Sequence, residues 1–250
     1  ESLDGAMITG CDLNTSLEDM ERLTALTPHV LAAVGSPVDA SAATAHGTLG
    51  AVEAVLEAEL KDAEPGRALV HGCGAVGGTV ARHLVDHGWT VFTVDLDRDR
   101  ASFPGATPLP DSCPWWELQL DLLLPCSISG LIDTEMAANL RTPAVVPAAN
   151  APFQLPHLAD ELRHRGVRVL PDPLVNAGAV IADSIERFSP NAWKDAGAKD
   201  VYAFVRDEVR QRAADYLNQR DQGLSVGAAL EEVAATPSHE PIGLSFGESE

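Results

Sequence analysis

Residues 68–77 read Ala-Leu-Val-His-Gly-Cys-Gly-Ala-Val-Gly, which places three glycines in a G-x-G-x-x-G spacing directly after an apolar run. Helical periodicity follows at once, so the order is strand, glycine-rich turn, helix, the context in which this spacing indicates a dinucleotide-binding βαβ unit. Gly72 permits the tight turn, Gly74 lets a pyrophosphate approach the backbone, and Gly77 lets the helix pack closely on the strand. The amides of Ala75 and Val76, at the start of the helix, are expected to face the phosphates.

The next apolar run ends in a carboxylate, Asp95, 18 positions after the last glycine of the motif. An acid at the end of this second strand accepts hydrogen bonds from an adenosine ribose and repels a 2′-phosphate, which favours NAD as the cofactor. Arg98 and Arg100 leave NADP as an alternative, which the further acids Asp97 and Asp99 disfavour. A glycine-rich turn that binds nothing is the other reading of the motif, and the strand, helix and acid together count against it.

The stretch between residues 68 and 170 alternates apolar runs with helical patterns. Strands are predicted at 68–71, 90–94, 120–124, 144–147 and 167–170. Continuous apolar strands separated by helices indicate a parallel sheet that is buried on both faces. We therefore predict an α/β fold, a Rossmann doubly wound parallel sheet with flanking N- and C-terminal helices. Four prolines within 103–114 predict an irregular segment there.

Composition excludes several classes of partner. The formal net charge of -20 disfavours nucleic acid and anionic membrane surfaces, because both are normally bound through clustered Lys and Arg. No apolar run reaches the roughly 20 residues that a membrane span needs. The four cysteines form no C-x-x-C pair, the start of the chain lacks the features of a signal peptide, and no metal site is predicted. A reduced, cytoplasmic protein is expected.

Five short motifs in a fixed order resemble the glutamate/leucine/phenylalanine/valine dehydrogenase family, most closely its leucine and phenylalanine members. The resemblance runs nearly end to end. The motifs are Ile-Thr-Gly-Cys-Asp-Leu-Asn-Thr at 8–15, Ser-Ala-Ala-Thr-Ala-His-Gly at 41–47, Pro-Cys-Ser at 125–127, Ala-Asn at 149–150, and Pro-Asp-Pro-Leu-Val-Asn-Ala-Gly at 171–178.

The resemblance implies an oligomeric NAD-dependent oxidoreductase that deaminates a small hydrophobic L-amino acid, or a derivative of one, to a 2-oxo acid. Asp12 is then the acid/base aspartate. The residues expected around the nicotinamide, its ribose and the cofactor cleft are Thr44, Cys126, Ser127, Asn150 and Asn176. Without the resemblance, the sequence would predict that Asp12 is a turn residue before a helix and that Asn176 is a helix N-cap.

The sequence departs from the family pattern in the catalytic lysine. Members carry that lysine in a glycine-rich loop upstream of the aspartate, whereas the first lysine here is Lys61. We therefore expect the N-terminal catalytic-lysine domain to be absent from this chain. Three explanations stay open: a fragment of an ordinary dehydrogenase, a separate subunit that supplies the missing half, or a minimal homologue. In addition, Leu31 stands where leucine dehydrogenases often have a substrate-contacting threonine.

The expected organisation follows from these assignments. Residues 1–40 form a remnant or linker from the substrate-domain side with a flanking helix, 41–190 the dinucleotide-binding Rossmann domain, 191–236 the C-terminal helices, and 237–250 a tail. The alternative function is an NAD-binding subunit or regulatory module without dehydrogenase activity of its own.

Overall fold

A six-stranded, fully parallel sheet forms the centre of the chain, in a computed structural model that describes residues 6–10, 15–31, 34–59, 65–110 and 112–235. The strands are β1 (Arg67–His71), β2 (Thr90–Val94), β3 (Ala106–Pro108), β4 (Leu122–Pro125), β5 (Ala144–Val145) and β6 (Arg168–Val169). Their order is β3-β2-β1-β4-β5-β6. The winding direction reverses between β1 and β4, which is the doubly wound arrangement. The predicted fold class is confirmed.

Helices cover both faces of the sheet and flank it at either end. They are α1 (Leu17–Thr24), α2 (Ala40–Glu59), α3 (Ala75–Asp86), α4 (Arg98–Ala101), α5 (Thr134–Asn139), α6 (His157–His164), α7 (Asp172–Val175), α8 (Gly178–Phe188), α9 (Pro190–Asp195), α10 (Ala198–Asp221) and α11 (Val226–Ala235). None of these described helices is long and apolar enough to cross a lipid bilayer.

The central strands bury side chains on both faces, which explains their continuous apolar sequence. In β1, Val70 belongs to the core formed with α2, α3 and α10, whereas Leu69 belongs to the core on the opposite face with α5 and α6. In β4, Leu122 and Leu124 face the first core and Leu123 the second. Successive side chains of a strand point to opposite faces, so a strand covered by helices on both sides needs an apolar residue at every position.

The segment 103–114 contains a strand that the sequence did not reveal. The irregular structure expected there is wrong for Ala106–Pro108, which pairs in parallel with β2 in the register Val91↔Ala106. This strand lies at the edge of the sheet, where a residue without an N–H costs no ladder hydrogen bond on the outer side. Pro108, which lies within β3, is therefore compatible with an edge strand.

Helix α1 begins with a capping box. The hydroxyl of its N-cap, Ser16, accepts the amide of Asp19 at 3.2 Å, and the Asp19 carboxylate accepts the amide of Ser16 at 2.9 Å. Met20 is buried, whereas Leu17 is 49% and Leu26 75% exposed. In this chain α1 therefore buries little of its apolar face.

The long helices α2 and α10 cross in close backbone contact. A Cβ atom at Gly50 of α2 would lie 2.1 Å from the carbonyl oxygen of Arg206 in α10. Next to this crossing, Arg206 Nε donates to Glu53 Oε1 at 3.0 Å. The glycine therefore sets how closely the C-terminal helix approaches the Rossmann core.

We expect Gly50→Ala to lower the free energy of unfolding by about 2 kcal/mol, since the added methyl group meets backbone that cannot rotate away. Chemical denaturation measures the effect. Gly227→Ala is the matched control: Gly227 also lies in a helix, no atom lies within 4 Å of its added Cβ, and alanine there should stabilise slightly. Equal stabilities of the two variants would contradict this account of the crossing.

Candidate functional site

The glycine loop between β1 and α3 is built by close backbone contacts. Gly72 has a φ of 94°, and a Cβ there would lie 2.7 Å from Ser127. A Cβ at Gly77 would lie 1.9 Å from the carbonyl oxygen of Gly72 and 2.8 Å from the Cβ of Cys126. Gly74 differs, because its added Cβ would meet no atom within 4 Å. Packing thus accounts for the first and third glycines, and the second borders open space.

The N-terminus of α3 borders the same open space. The helix begins at Ala75 with Gly74 as its N-cap, which offers no side-chain acceptor to the first amides. The first helical hydrogen bond runs from the amide of Gly78 to the carbonyl of Gly74, so the preceding amides, including those of Ala75 and Val76, have no helical acceptor. Uncapped amides beside a glycine that leaves room for a ligand suit an anion such as a pyrophosphate.

Asp95 is joined to the glycine loop directly. Its Oδ2 accepts the amide of Cys73 at 2.6 Å, and its Oδ1 accepts the amide of Asp97 at 2.8 Å. The ribose contact expected of Asp95 stays a prediction, whereas its hydrogen bond to the glycine loop is a contact that the sequence did not reveal. Each carboxylate oxygen accepts more than one hydrogen bond, so capacity for ribose hydroxyls is left.

A cavity of about 660 Å³ opens beside this loop. Its lining residues are Asp39, Ala42, Cys73, Gly74, Ala75, Thr79, Arg82 and Arg100. Arg82 lies over the ring of Phe103 at 5.2 Å, and Arg100 Nε lies 3.2 Å from Asp97 Oδ2. Two arginines therefore border the cleft of a chain whose net charge is -20.

Thr79 and Arg82 line this cavity but were not among the residues predicted from the sequence. The available signal was their helical spacing, because positions 75, 79 and 82 lie on one face of α3. His71, the last residue of β1, was also missed. Its Nδ1 lies 2.8 Å from the hydroxyl of Ser127, and burial lowers the pKa of its imidazole to about 4, so the ring is neutral at pH 7.

The two thiols near the loop are not activated. Burial raises the pKa of Cys73 to about 11, with the Asp95 charge adding to the effect, and burial raises the pKa of Cys126 to about 12. Both thiols are therefore protonated at neutral pH, and the thiolate is the nucleophilic form. Cys126 is placed to pack against Gly77 rather than to attack a substrate.

The two asparagines that the sequence analysis predicted lie in contact with each other. Asn176 Nδ2 donates to Asn150 Oδ1 at 2.7 Å and to the carbonyl of Ala148 at 3.2 Å. The adjacent Ala151 has a φ of 42°, and its amide donates to Asp172 Oδ2 at 2.9 Å. Asn176 ends α7, and Ala177 is the N-cap of α8. The reading of Asn176 as a helix N-cap is therefore wrong.

Thr44 packs against the start of α8, shortly after Asn176 in the sequence. A Cβ at Gly178, two residues after Asn176, would lie 2.7 Å from the Cα of Thr44. The Thr44 hydroxyl donates to the carbonyl of Ala40 at 3.0 Å. The structure thus brings the start of α8 against Thr44. Asp12, the expected acid/base residue, lies outside the described residues.

Known proteins with similar sequences belong to the family that the sequence motifs resemble. The sequence model of the Glutamate/Leucine/Phenylalanine/Valine dehydrogenase family matches residues 95–237. Phenylalanine dehydrogenase of Lysinibacillus sphaericus is 27% identical over 231 residues, which cover 87% of this chain and 61% of that protein. The chain therefore spans about three fifths of the length of this curated relative.

Two solved structures share the fold. The crystal structure of L-tryptophan dehydrogenase from Nostoc punctiforme superimposes with a TM-score of 0.76 at 23% identity, covering 93% of this chain and 67% of that chain. Hetero-hexameric glutamate dehydrogenase from Thermus thermophilus gives 0.74 at 22% identity, covering 93% and 65%. With the family match extending over more than half of its residues, this chain belongs to the glutamate/leucine/phenylalanine/valine dehydrogenase family.

Proposed function

We propose that this chain binds NAD in the cleft beside the glycine loop and forms the cofactor-binding part of an NAD-dependent L-amino-acid dehydrogenase. The observation that carries the proposal is the glycine loop itself, open at Gly74 and held by Asp95, in a member of this family. The named relatives that act on phenylalanine and tryptophan support an amino-acid substrate. The reaction converts an L-amino acid, NAD⁺ and water to a 2-oxo acid, ammonium, NADH and a proton.

The residues around the loop fit the adenosine and pyrophosphate of NAD. The amides at the start of α3, among them Ala75 and Val76, would hold the pyrophosphate, and Asp95 would accept hydrogen bonds from the ribose hydroxyls. Arg82 and Arg100 supply positive charge at the same cleft. When bound, NAD⁺ accepts the hydride that leaves the substrate Cα.

The remaining residues would position the reacting groups. Asn150, Asn176 and Thr44 would fix the nicotinamide end, because an amide or hydroxyl that orients the carboxamide presents one ring face to the substrate. Asp12 would accept and return protons during water attack on the substrate iminium. A lysine outside residues 1–60 would activate that water, on the same polypeptide or on a separate subunit of an oligomer.

The functional test uses the natural protein that contains this chain. Purified with its native partners, it should reduce NAD⁺ when an L-amino acid is added and oxidise NADH when the 2-oxo acid and ammonium are added. The same measurement on the isolated 250-residue chain shows whether the water-activating lysine lies outside it, because a chain that lacks this lysine should not turn over the amino acid. Saturable NADH binding without amino-acid-dependent turnover in either preparation would support the NAD-binding module instead.

We expect Asp95→Ala to raise the Kd for NADH by at least about tenfold, because charge-assisted hydrogen bonds to the ribose are lost. Quenching of tryptophan fluorescence or calorimetry measures the affinity. Asp99→Ala, which removes an exposed acid on the neighbouring helix α4, should leave the affinity unchanged. Circular dichroism of both variants confirms folding, and an unaltered Kd for Asp95→Ala would contradict the assigned ribose contact.

We expect the chain to bind NADH at least about tenfold more tightly than NADPH, since the Asp95 carboxylate repels a 2′-phosphate. Asp95→Asn keeps an acceptor for the Cys73 amide but removes the charge, and should reduce this preference. Arg100→Ala tests whether Arg100 contributes to the binding of NADPH. A fall in the affinity for NADPH alone would assign Arg100 to the 2′-phosphate. Equal binding of both cofactors by the natural sequence would rule out the preference for NAD.

A further inference from the structure

A second cavity, of about 350 Å³, opens between the turn that joins α6 to β6 and the C-terminal part of α10. The turn leads into the amino end of β6, whereas the glycine loop leaves the carboxyl end of β1 in the same parallel sheet. Among the described residues, the two cavities share no lining residue. This cavity is therefore separate from the proposed cofactor cleft, and we call it the arginine pocket, after Arg163, Arg168 and Arg220 in its lining.

Ion pairs hold two of the three arginines in place. Arg163 Nη1 lies 2.8 Å from Asp160 Oδ1 in α6, and Arg168 pairs with Asp221 at the end of α10. The two arginine side chains are only 15% and 30% exposed, whereas the two acids are 58% and 52% exposed. Solvent therefore screens the negative charges more than the positive charges, and the arginine pocket favours an anion even though the net charge of the chain is -20.

The third arginine, Arg220, offers donors that the described chain leaves unused. Its guanidinium donates to the carbonyl of Leu224, the one hydrogen bond that it makes within the part of the chain that the structure describes. A guanidinium has five N–H groups and carries its charge at every physiological pH. Arg220 can therefore hold an anion without giving up the contact with Leu224.

Tyr216 brings a buried hydroxyl group to the same pocket. The residue is 1% exposed, and its hydroxyl forms no hydrogen bond with any described residue. The guanidinium of Arg163 lies beside the hydroxyl but directs its N–H groups to Val169 and Asp160. Burial raises the pKa of Tyr216, although the charges of Arg163 and Arg220 oppose that shift, so the hydroxyl is a donor at neutral pH. A buried donor without an acceptor is destabilising, unless a ligand supplies the acceptor.

We propose that the arginine pocket binds a phosphate group, which accepts hydrogen bonds from Arg163, Arg220 and the hydroxyl of Tyr216. Donors reach the pocket from α6, β6 and α10, so they surround the ligand from several directions. The oxygens of a phosphate point in such different directions, whereas the two oxygens of a carboxylate lie in one plane. The phosphate is either the free ion or part of a small phosphomonoester, since both present the same anion to the pocket.

Calorimetric titration of the natural protein with inorganic phosphate, at constant ionic strength in chloride, tests this inference. We expect saturable binding with a Kd below about 1 mM. Arg220→Gln should raise that Kd at least about tenfold, because a charged donor to the anion is lost. Arg187→Gln is the matched control: it removes the same charge from an exposed side chain of α8 that does not line the pocket, and it should retain the affinity. Excess NADH in a parallel titration keeps phosphate out of the proposed cofactor cleft.

Tyr216→Phe separates phosphate binding from a structural role of the hydroxyl. In buffer without phosphate this variant should keep or raise Tm, because it removes a buried donor that has no acceptor. Phosphate should raise the Tm of the natural protein by ligand linkage, and this increase should become smaller in Tyr216→Phe and in Arg220→Gln. A lowered Tm of Tyr216→Phe without phosphate, together with an unchanged Kd for phosphate, would overturn the assigned contact.

Two further ligands define the anion. Glycerol 3-phosphate that binds more tightly than inorganic phosphate would identify a phosphomonoester as the ligand, and the reverse order would identify the free ion. Succinate, a dicarboxylate of similar size, should bind at least about tenfold more weakly. Equal binding of succinate would overturn the assignment to phosphate.

The outcomes distinguish this inference from the proposed function. Phosphate binding that does not saturate, or that is unaffected by both Arg220→Gln and Tyr216→Phe, would overturn the inference and leave the NAD proposal intact. Arg220→Gln should leave the Kd for NADH unchanged, because Arg220 does not line the proposed cofactor cleft. Conversely, phosphate binding that depends on Arg220 in a protein that fails to bind NADH would support the arginine pocket alone.

Discussion

The contact between Gly77 and the carbonyl group of Gly72 is the constraint on which the proposed cofactor site depends. A methyl group at Gly77 would lie 1.9 Å from that oxygen, so helix α3 leaves the sheet at a distance that only glycine permits. The same contact turns the uncapped amides of α3 toward the cavity and brings Cys73 within reach of the Asp95 carboxylate. Backbone geometry, rather than a set of polar side chains, therefore builds the side of the cleft that is proposed to hold the pyrophosphate.

Much of the fold could be predicted because it depends on local patterns. The apolar runs at β1 and β2 and the glycine motif between them predicted the parallel sheet. Strand β3 could not be predicted, because its proline composition is typical of a loop and only its edge position makes it a strand.

The contacts among the predicted site residues could not be read from the sequence. Asp95 was assigned from its position after β2, yet its bond to the Cys73 amide depends on the path of a turn. The pairing of Asn150 with Asn176 joins residues that are far apart in the sequence, and no local pattern contains it.

The crossing of α2 and α10 at Gly50 has a mechanical consequence. Helix α2 carries Thr44 less than two turns from that crossing, and at Gly50 the backbones of α2 and α10 meet without a side chain of α2 between them. A displacement of α10 would therefore be transmitted along α2 to the residues beside Gly178. Substitutions on the outer surface of α10, remote from the cleft, can in this way alter the position of Thr44.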